Sequence, residues 1–288
     1  MTSSRNGRPQ KLVVFGIDGA LFDHIVRSDT PHLRSMISAG YASRTTLYLD
    51  PLTPTVSGPG WATIATGVWP DKHRVLDNEW GPATGLTQYP DFLTRLKRAD
   101  SSLTTYAIAD WPPLTSDSAG QAIFSAAIDV RVTIDGDTLG LDVADTRVAA
   151  EAADYLGRVG PDASFVYFGE VDHAGHTSGA ASTYYRTAIE NTDRHIGTVL
   201  AGIRSRPTYA EEDWTYVVTS DHGHTDAGGH GGSSAPERAS FIIHTGPGIP
   251  PTTPATEPKN VDIAVTVLSH FGVTPDPTWQ LDGRPLLV

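Results

Sequence analysis

Short apolar runs alternate along the chain with amphipathic stretches of helical period. The runs predict buried strands at residues 11–18, 41–49, 105–110, 164–170, 214–220 and 240–244. The amphipathic stretches predict helices at residues 31–37, 91–98, 142–159, 182–204 and 260–271. This alternation is typical of an α/β fold, in which a largely parallel sheet is covered by helices on both faces.

Local signals agree with this pattern. Thr30 and Pro31 are a helix cap and a first helical residue, and Gly40 is a plausible stop. At 288 residues the chain is within the size of one α/β domain, and we expect a single domain over residues 1–288. Residues 1–10 are polar and are expected to be flexible. The Pro- and Thr-rich residues 246–259 resemble a surface loop rather than a linker.

Composition narrows the classes of function. The net charge of −12 argues against stable nucleic-acid binding, which needs a basic surface. An anionic substrate would therefore need local positive charge, and bound metal ions supply it. The chain has no cysteine, which excludes disulfides, thiolate metal sites and cysteine nucleophiles.

The first eleven residues are polar and lead directly into the first predicted strand. This apolar stretch is too short for a secretory signal, and no run approaches the roughly 20 apolar residues of a membrane span. We therefore expect a soluble, cytoplasmic protein without a membrane partner.

Polar residues with metal-binding chemistry follow three predicted strands. Because the carboxyl ends of parallel strands meet at one edge of the sheet, we expect these residues to converge. A further histidine stands in the sequence Gly-Gly-His-Gly-Gly, where glycines allow the backbone close to a ligand. The candidate ligands are Asp18, Asp172, His176, Asp221, His222 and His230. Asp172 and His176 are four residues apart, and we expect both to reach one metal from a turn.

Imidazole and carboxylate mixtures suit zinc, with manganese possible. A single Asp-His pair in a loop is more often an ordinary turn than a metal site. Five of the 11 histidines, however, fall in residues 173–176 and 222–230, each window directly after an apolar strand. That clustering favours a metal centre. His173 and His224 are interpreted individually as bystanders or as residues that orient ligands.

Ser57 is the candidate nucleophile, and it lies in the stretch Ser-Gly-Pro-Gly. Gly58 and Gly60 leave its hydroxyl accessible, and Pro59 as a first helical residue would point a helix amino terminus toward it. Such a terminus attracts phosphate oxygens. A serine hydroxyl needs activation, here by metal coordination. On its own the stretch is better explained as a turn. The predicted metal ligands are what favour Ser57 as a nucleophile.

Together these motifs resemble the alkaline phosphatase superfamily, most closely its type I phosphodiesterase/nucleotide pyrophosphatase branch. The resemblance spans residues 12–232 and keeps the family's order of motifs. The matching stretches are Phe15–Gly19, Pro54–Ser57, Thr66–His73, Asn78, Asp172–His176, Ser220–Gly223 and Gly229–Gly231. It implies an alkaline phosphatase-like three-layer sandwich and a hydrolase that cleaves phosphate esters with two divalent metal ions.

The resemblance also implies individual roles. One metal would be held by Asp172, His176 and His230. The other would be held by Asp18, Asp221 and His222 together with the Ser57 hydroxyl. Asn78 and the backbone N–H of Gly58 match positions that bind a phosphoryl oxygen. Ser57 would then form a phosphoseryl or nucleotidyl-seryl intermediate, which water activated at the other metal cleaves.

Some features depart from relatives. Many eukaryotic members have threonine as the nucleophile, and many have a long insertion where only seven residues separate His222 from His230 here. That insertion often helps to build the substrate pocket in relatives, so the resemblance does not indicate which residues form the pocket of this chain. Sulfatases of the superfamily need a formylglycine precursor and an Arg four residues further on. Trp61 occupies that position, and a sulfatase is disfavoured.

The substrate is expected to be a small phosphoester, with a nucleotide as one candidate. Trp61, Trp80 and Tyr89 are candidates for stacking on a base, although core packing explains each equally well. A monoesterase needs more positive charge, for which Lys72 and Arg74 are candidates. With Asn78 present we favour diesters or pyrophosphates, and a phosphomonoesterase is the alternative. A phosphomutase and a binding protein without catalysis are disfavoured.

Overall fold

The computed structural model describes residues 7–48, 53–254 and 256–286. In these residues the strands are β1 (Gln10–Ile17), β2 (Tyr41–Thr46), β3 (Thr105–Ala109), β4 (Val130–Thr133), β5 (Ala163–Phe168), β6 (Asp213–Thr219) and β7 (Ala239–Thr245). The helices are α1 (Phe22–Arg27), α2 (Pro31–Ala39), α3 (Ser57–Thr66), α4 (Pro70–His73), α5 (Phe92–Ala99), α6 (Pro112–Thr115), α7 (Gly136–Leu139), α8 (Leu141–Arg158), α9 (Glu170–Ser178), α10 (Thr183–Arg204) and α11 (Asp262–His270). Most predicted elements agree with these bounds to within two residues.

The strands form one sheet in the order β2-β7-β6-β1-β5-β3-β4. Strand β1 lies near the middle and pairs in parallel with β5 and β6. Strands β3 and β4 continue the parallel arrangement, and β7 alone runs antiparallel to its neighbours β6 and β2. The predicted largely parallel sheet is therefore confirmed.

Every residue of β1 is buried, which explains its continuous apolar sequence. Val13 and Phe15 pack on one face, against side chains of α8 and α10. Leu12 and Val14 pack on the other face, against α3, α5 and α11. The two apolar cores on opposite faces of one sheet give the three layers that the sequence predicts.

Two helices begin at residues that the sequence analysis placed differently. The first helical residue of α3 is Ser57, not Pro59, because the N–H of Gly60 already bonds the carbonyl of Val56. The strand predicted at residues 164–170 ends at Phe168, and Glu170 begins α9.

The Asp145 carboxylate explains why α9 begins at Glu170. It accepts hydrogen bonds from the N–H groups of Gly169 and Glu170, at 2.9 and 3.3 Å. This contact stabilises the amino terminus of α9. Asp172 and His176 therefore lie one helical turn apart on α9, not on a turn as expected.

Smaller differences concern the chain ends and β2. Residues 1–6 of the segment predicted to be flexible lie outside the described residues, whereas Gln10 is already paired with Asp213 in the sheet. Strand β2 ends at Thr46, where its partner β7 begins at Ala239, and residue 49 lies outside the described part. Thr30 precedes α2 but does not cap it, since its hydroxyl donates to the carbonyl of Ile25.

Among the helices of the described residues, none combines the length and apolar composition that a bilayer crossing needs.

Candidate metal centre and active site

Three neighbouring strands end at the same edge of the sheet and deliver the candidate ligands. Asp18 follows β1, α9 follows β5, and Asp221 with His222 follows β6. The structure brings all seven predicted ligand residues together at this edge: Asp18, Ser57, Asp172, His176, Asp221, His222 and His230.

The inner cluster consists of Ser57, Asp18, Asp221 and His222. His222 Nε2 lies 3.3 Å from Ser57 Oγ, 3.5 Å from Asp18 Oδ1 and 3.2 Å from Asp221 Oδ2. In tetrahedral zinc sites with bonds of about 2.0–2.1 Å, two ligand atoms are about 3.3 Å apart. The donor atoms are thus spaced as the ligands of one ion.

Unpaired buried oxygens support this interpretation. Asp18 Oδ1 and Asp221 Oδ2 are buried and accept no hydrogen bond within the described residues. The other oxygen of Asp221 accepts from the N–H of Gly19 at 3.2 Å. His222 Nδ1 lies 3.2 Å from the carbonyl of Gly223, which places its proton there and leaves Nε2 free. Two carboxylate oxygens and an imidazole lone pair facing one another are costly unless a cation joins them. The residues therefore fit a divalent metal ion.

The outer cluster consists of Asp172, His176 and His230. His176 Nε2 lies 3.5 Å from Asp172 Oδ2 and 2.8 Å from His230 Nε2, and His230 Nε2 lies 3.4 Å from Asp172 Oδ1. Helix α9 supplies Asp172 and His176 from one face because they are four residues apart. This cluster also has the donor set of a zinc or manganese site.

Thr55 orients His230, a role that sequence reasoning missed. Its carbonyl lies 2.7 Å from His230 Nδ1, which fixes the proton there and leaves Nε2 as the free donor atom. The Thr55 hydroxyl also accepts from the N–H of Gly231 and donates to the carbonyl of Gly232. No motif in the sequence announces this contact, since 175 residues separate the partners.

His173 and His224 behave differently. His173 is exposed, and its ring lies edge-on to Tyr184. His224 is fully buried, and its Nε2 lies 2.7 Å from Asp172 Oδ1, in contact with a predicted ligand of the outer cluster. Of the two alternatives for His224, the geometry favours a residue that orients a ligand.

Burial shifts the proton equilibria of both clusters. It raises the pKa of Asp172 to about 7, with Asp18 adding repulsion, and it raises the pKa of Asp221 well above its usual range. Burial lowers the pKa of His222 and, to a smaller extent, that of His176. Without a cation, burial therefore favours the neutral forms of His222 and His176 and the protonated forms of Asp172 and Asp221.

These shifts predict that metal affinity falls in acid. Below pH 7, an ion must displace protons from Asp172 and Asp221, whereas His222 and His176 are already neutral and release none. We expect zinc affinity to fall by about tenfold per pH unit for each displaced proton. Chelator-competition titrations at pH 5.5, 6.5 and 7.5 measure this. An affinity that does not change across that range would show that the carboxyl groups are already ionised.

The two predicted oxygen-binding residues are in contact beside the candidate nucleophile. Ser57 is the first residue of α3, and the N–H of Gly58 donates to Asn78 Oδ1 at 2.7 Å. A side chain at position 58 would lie 2.2 Å from the carbonyl oxygen of Asp77, and only glycine fits there. Asn78 therefore lies directly beside the nucleophile.

Two of the three aromatic residues proposed for substrate stacking are buried. Trp61 is 1% exposed, and its Nε1 donates to Asp18 Oδ2 at 2.9 Å. Tyr89 is also buried, and its hydroxyl donates to Gln280 Oε1. Of the two alternatives left open for these rings, burial favours core packing over stacking on substrate.

Trp80 is partly exposed and borders a small open cleft beside Asn78. The cleft is a shallow depression, and its other lining residues are Pro113, Ser116, Gly120 and Gln121. The Trp80 indole N–H donates to the carbonyl of Gln121, and its ring packs edge-on to Trp111. The cleft lining has no charged side chain.

Lys72 and Arg74, the two candidate sources of positive charge, have other positions in the structure. The ammonium group of Lys72 binds the carbonyl of Gln280 at 2.7 Å and the carboxylate of Asp282. Arg74 is exposed and ends α4 in a left-handed conformation with φ of 55°. Lys72 is thus engaged elsewhere and does not neutralise a phosphate at Ser57.

Fold and site together define a member of the alkaline phosphatase superfamily. The sequence matches the type I phosphodiesterase / nucleotide pyrophosphatase family over residues 12–234, and the chain belongs to that family. Its members are hydrolases, and metal dependence is typical of them. The resemblance stated from the motifs is confirmed.

Known relatives are distant. Mouse (Mus musculus) ectonucleotide pyrophosphatase/phosphodiesterase family member 7 is 25% identical over 231 residues. The match covers 76% of this chain and 51% of that protein, so the chain spans about half the length of this relative.

Solved structures show the same fold. A 2-O GAG sulfatase superposes with a TM-score of 0.71 and 15% identity, covering 97% of this chain and 73% of the other. Human ectonucleotide pyrophosphatase / phosphodiesterase 5 gives a TM-score of 0.67 and 14% identity, covering 93% of this chain and 96% of the other.

Proposed function

We propose that this protein is a two-metal phosphoester hydrolase that prefers phosphodiesters or nucleotide pyrophosphates and uses Ser57 as its nucleophile. The observation that carries the proposal is the inner cluster. Ser57 Oγ lies 3.3 Å from His222 Nε2, which also faces the unpaired oxygens of Asp18 and Asp221. A cation held by these residues would contact the Ser57 hydroxyl and activate it as a nucleophile.

Two divalent ions, zinc first and manganese as the alternative, fit the donor sets. The inner cluster would hold one ion through Asp18, Asp221 and His222, and the outer cluster the other through Asp172, His176 and His230. When bound, the ions supply positive charge that activates the nucleophile and stabilises the attacking and leaving oxygens.

The chain's own residues position the reaction. Ser57 Oγ attacks phosphorus, the ester oxygen opposite leaves, and water then cleaves the phosphoseryl bond to regenerate the hydroxyl. We infer that Asn78 Nδ2 donates to a non-bridging phosphoryl oxygen, and that the N–H of Gly58 joins it once it leaves Asn78 Oδ1, to which it donates at 2.7 Å. The amino terminus of α3 favours negative charge at the same point.

The cleft beside Asn78 supports a diester preference. Its lining by Trp80, Pro113, Ser116 and Gln121 is uncharged, and an esterified group that leaves the site past Asn78 would meet this surface rather than a cation. A monoester dianion needs additional positive charge, and Lys72 is bound to Asp282 instead. A phosphomonoesterase acting on a small metabolite phosphate is the alternative.

A paired kinetic assay tests the proposal. Metal-reconstituted protein is given the p-nitrophenyl ester of thymidine 5′-monophosphate and, separately, p-nitrophenyl phosphate, and bound metal is counted in the same sample. We expect two metals per chain and a kcat/KM that strongly favours the diester. A preference for the monoester would assign a phosphatase and leave the metal ligands unchanged.

Asn78 supplies a second prediction. Asn78→Ala removes a side chain that contacts the nucleophile's helix but belongs to neither metal cluster. We expect kcat/KM for the diester to fall by about 10²- to 10³-fold, as when one oxyanion donor is lost, with the metal count unchanged. Glu79→Gln, at an exposed neighbouring position, is the matched control. Equal activity in both variants would remove Asn78 from the site.

A further inference from the structure

The two oxygens of Asp18 have different surroundings. Oδ2 accepts two hydrogen bonds, from the Tyr167 hydroxyl at 2.5 Å and from Trp61 Nε1 at 2.9 Å. Oδ1 accepts none and lies 3.5 Å from His222 Nε2. The carboxylate is therefore held through one oxygen, and the other faces the inner cluster.

Both donors are rigid. Trp61 and Tyr167 are 1% and 3% exposed, and their rings meet edge-on with centroids 5.2 Å apart. Gly16 leaves room for the indole, since a side chain there would lie 2.6 Å from the Trp61 ring. Two buried aromatic side chains locked by packing fix the direction of the Asp18 carboxylate.

We propose that Trp61 and Tyr167 are positioning residues that leave Asp18 Oδ1 as the single ligating oxygen of that carboxylate. This inference rests on the proposed two-metal function. Trp61 also lies on α3, one turn after Ser57. Through its indole N–H, the helix that carries the nucleophile is bonded to a ligand of the same cluster.

Hydrogen-bond satisfaction alone does not explain the Tyr167 contact. The hydroxyls of Tyr106 and Tyr216 are also buried, and among the described residues they have no hydrogen-bond partner. The fold therefore accommodates a buried tyrosine hydroxyl that does not donate to a carboxylate. Asp18, by contrast, is a buried carboxylate in the inner cluster, and the two donors on its Oδ2 fix which of its oxygens faces His222.

Tyr167→Phe tests the inference, because it removes one hydroxyl and keeps the ring. Tyr106→Phe is the matched control, since it removes a buried hydroxyl that has no partner. Zinc affinity is measured by chelator competition, and the visible absorption of the Co²⁺-loaded protein reports the coordination. We expect Tyr167→Phe to weaken one of the two sites by 10- to 100-fold and to change the Co²⁺ spectrum. Tyr106→Phe should match the wild type.

The outcomes separate the inference from the proposed function. If wild-type protein binds two metals and cleaves the diester while Tyr167→Phe keeps both affinities and the same spectrum, only the positioning role is overturned. If wild-type protein binds no metal, the proposed function and this inference fail together. Trp61→Phe combined with Tyr167→Phe should weaken the same site further than either change alone.

Discussion

Ser57→Ala should reduce turnover of the thymidine diester by at least about 1,000-fold while both metals stay bound. The hydroxyl is the group proposed to attack phosphorus, whereas Asp18, Asp221 and His222 remain to hold the inner ion. The measurement compares kcat/KM and metal content of the variant with those of the wild type. Circular dichroism of both proteins checks that α3 is intact.

Ser57→Thr is the matched control for this change. It keeps a hydroxyl at the first position of α3 and should retain measurable turnover. Near-normal hydrolysis by Ser57→Ala would show that the nucleophile is another group. Loss of metal together with activity would show that Ser57 acts mainly as a ligand.

Removing the metals should abolish turnover and destabilise the fold. Asp18 Oδ1 and Asp221 Oδ2 have no hydrogen-bond partner in the described part of the chain, and a cation is the natural partner for buried carboxylates. We expect dialysis against a chelator to stop hydrolysis and lower the Tm, and zinc to restore both. Free zinc at 100 times its Kd stabilises the folded state by about 2.7 kcal/mol per site.

Asp221→Asn tests the metal dependence of turnover at one ligand of the inner cluster. It should leave one metal per chain and no detectable turnover, because the inner cluster loses a charged ligand. Asp23→Asn, an exposed carboxylate paired with Arg44, should keep both metals and full activity. Full activity after exhaustive chelation would contradict the two-metal mechanism.

Much of the fold was predictable because a few local patterns dominate it. Strand β1 is buried on both faces and is apolar from Leu12 to Ile17, so this continuous run predicted a central parallel strand. Asp18 and Asp221 each directly follow such a strand. Since parallel strands present their carboxyl ends at one edge, the convergence of the ligands followed from the strands alone.

The supporting contacts were less accessible to sequence reasoning. Trp61 was predicted to stack on substrate, yet it is buried against Asp18, 43 residues away. Thr55 orients His230 across 175 residues, and Tyr167 bonds Asp18 across 149. These pairs depend on packing between distant elements, and no local spacing encodes them.

The start of α9 also depends on a contact between distant elements. An apolar run followed by polar residues predicted a strand ending at residue 170, with the ligands on a turn. Asp145, on α8, instead caps a helix that begins at Glu170. A capping partner supplied by another element overrides the local signal.

The most direct test of the central claim is to identify the covalent intermediate. Metal-loaded protein is mixed with the thymidine p-nitrophenyl diester, quenched in acid within milliseconds, digested and examined by mass spectrometry. We predict a thymidylyl group on Ser57 in the wild-type protein and none in Ser57→Ala. A wild-type protein that turns over the substrate but carries the group on another residue, or never carries it, would contradict the mechanism.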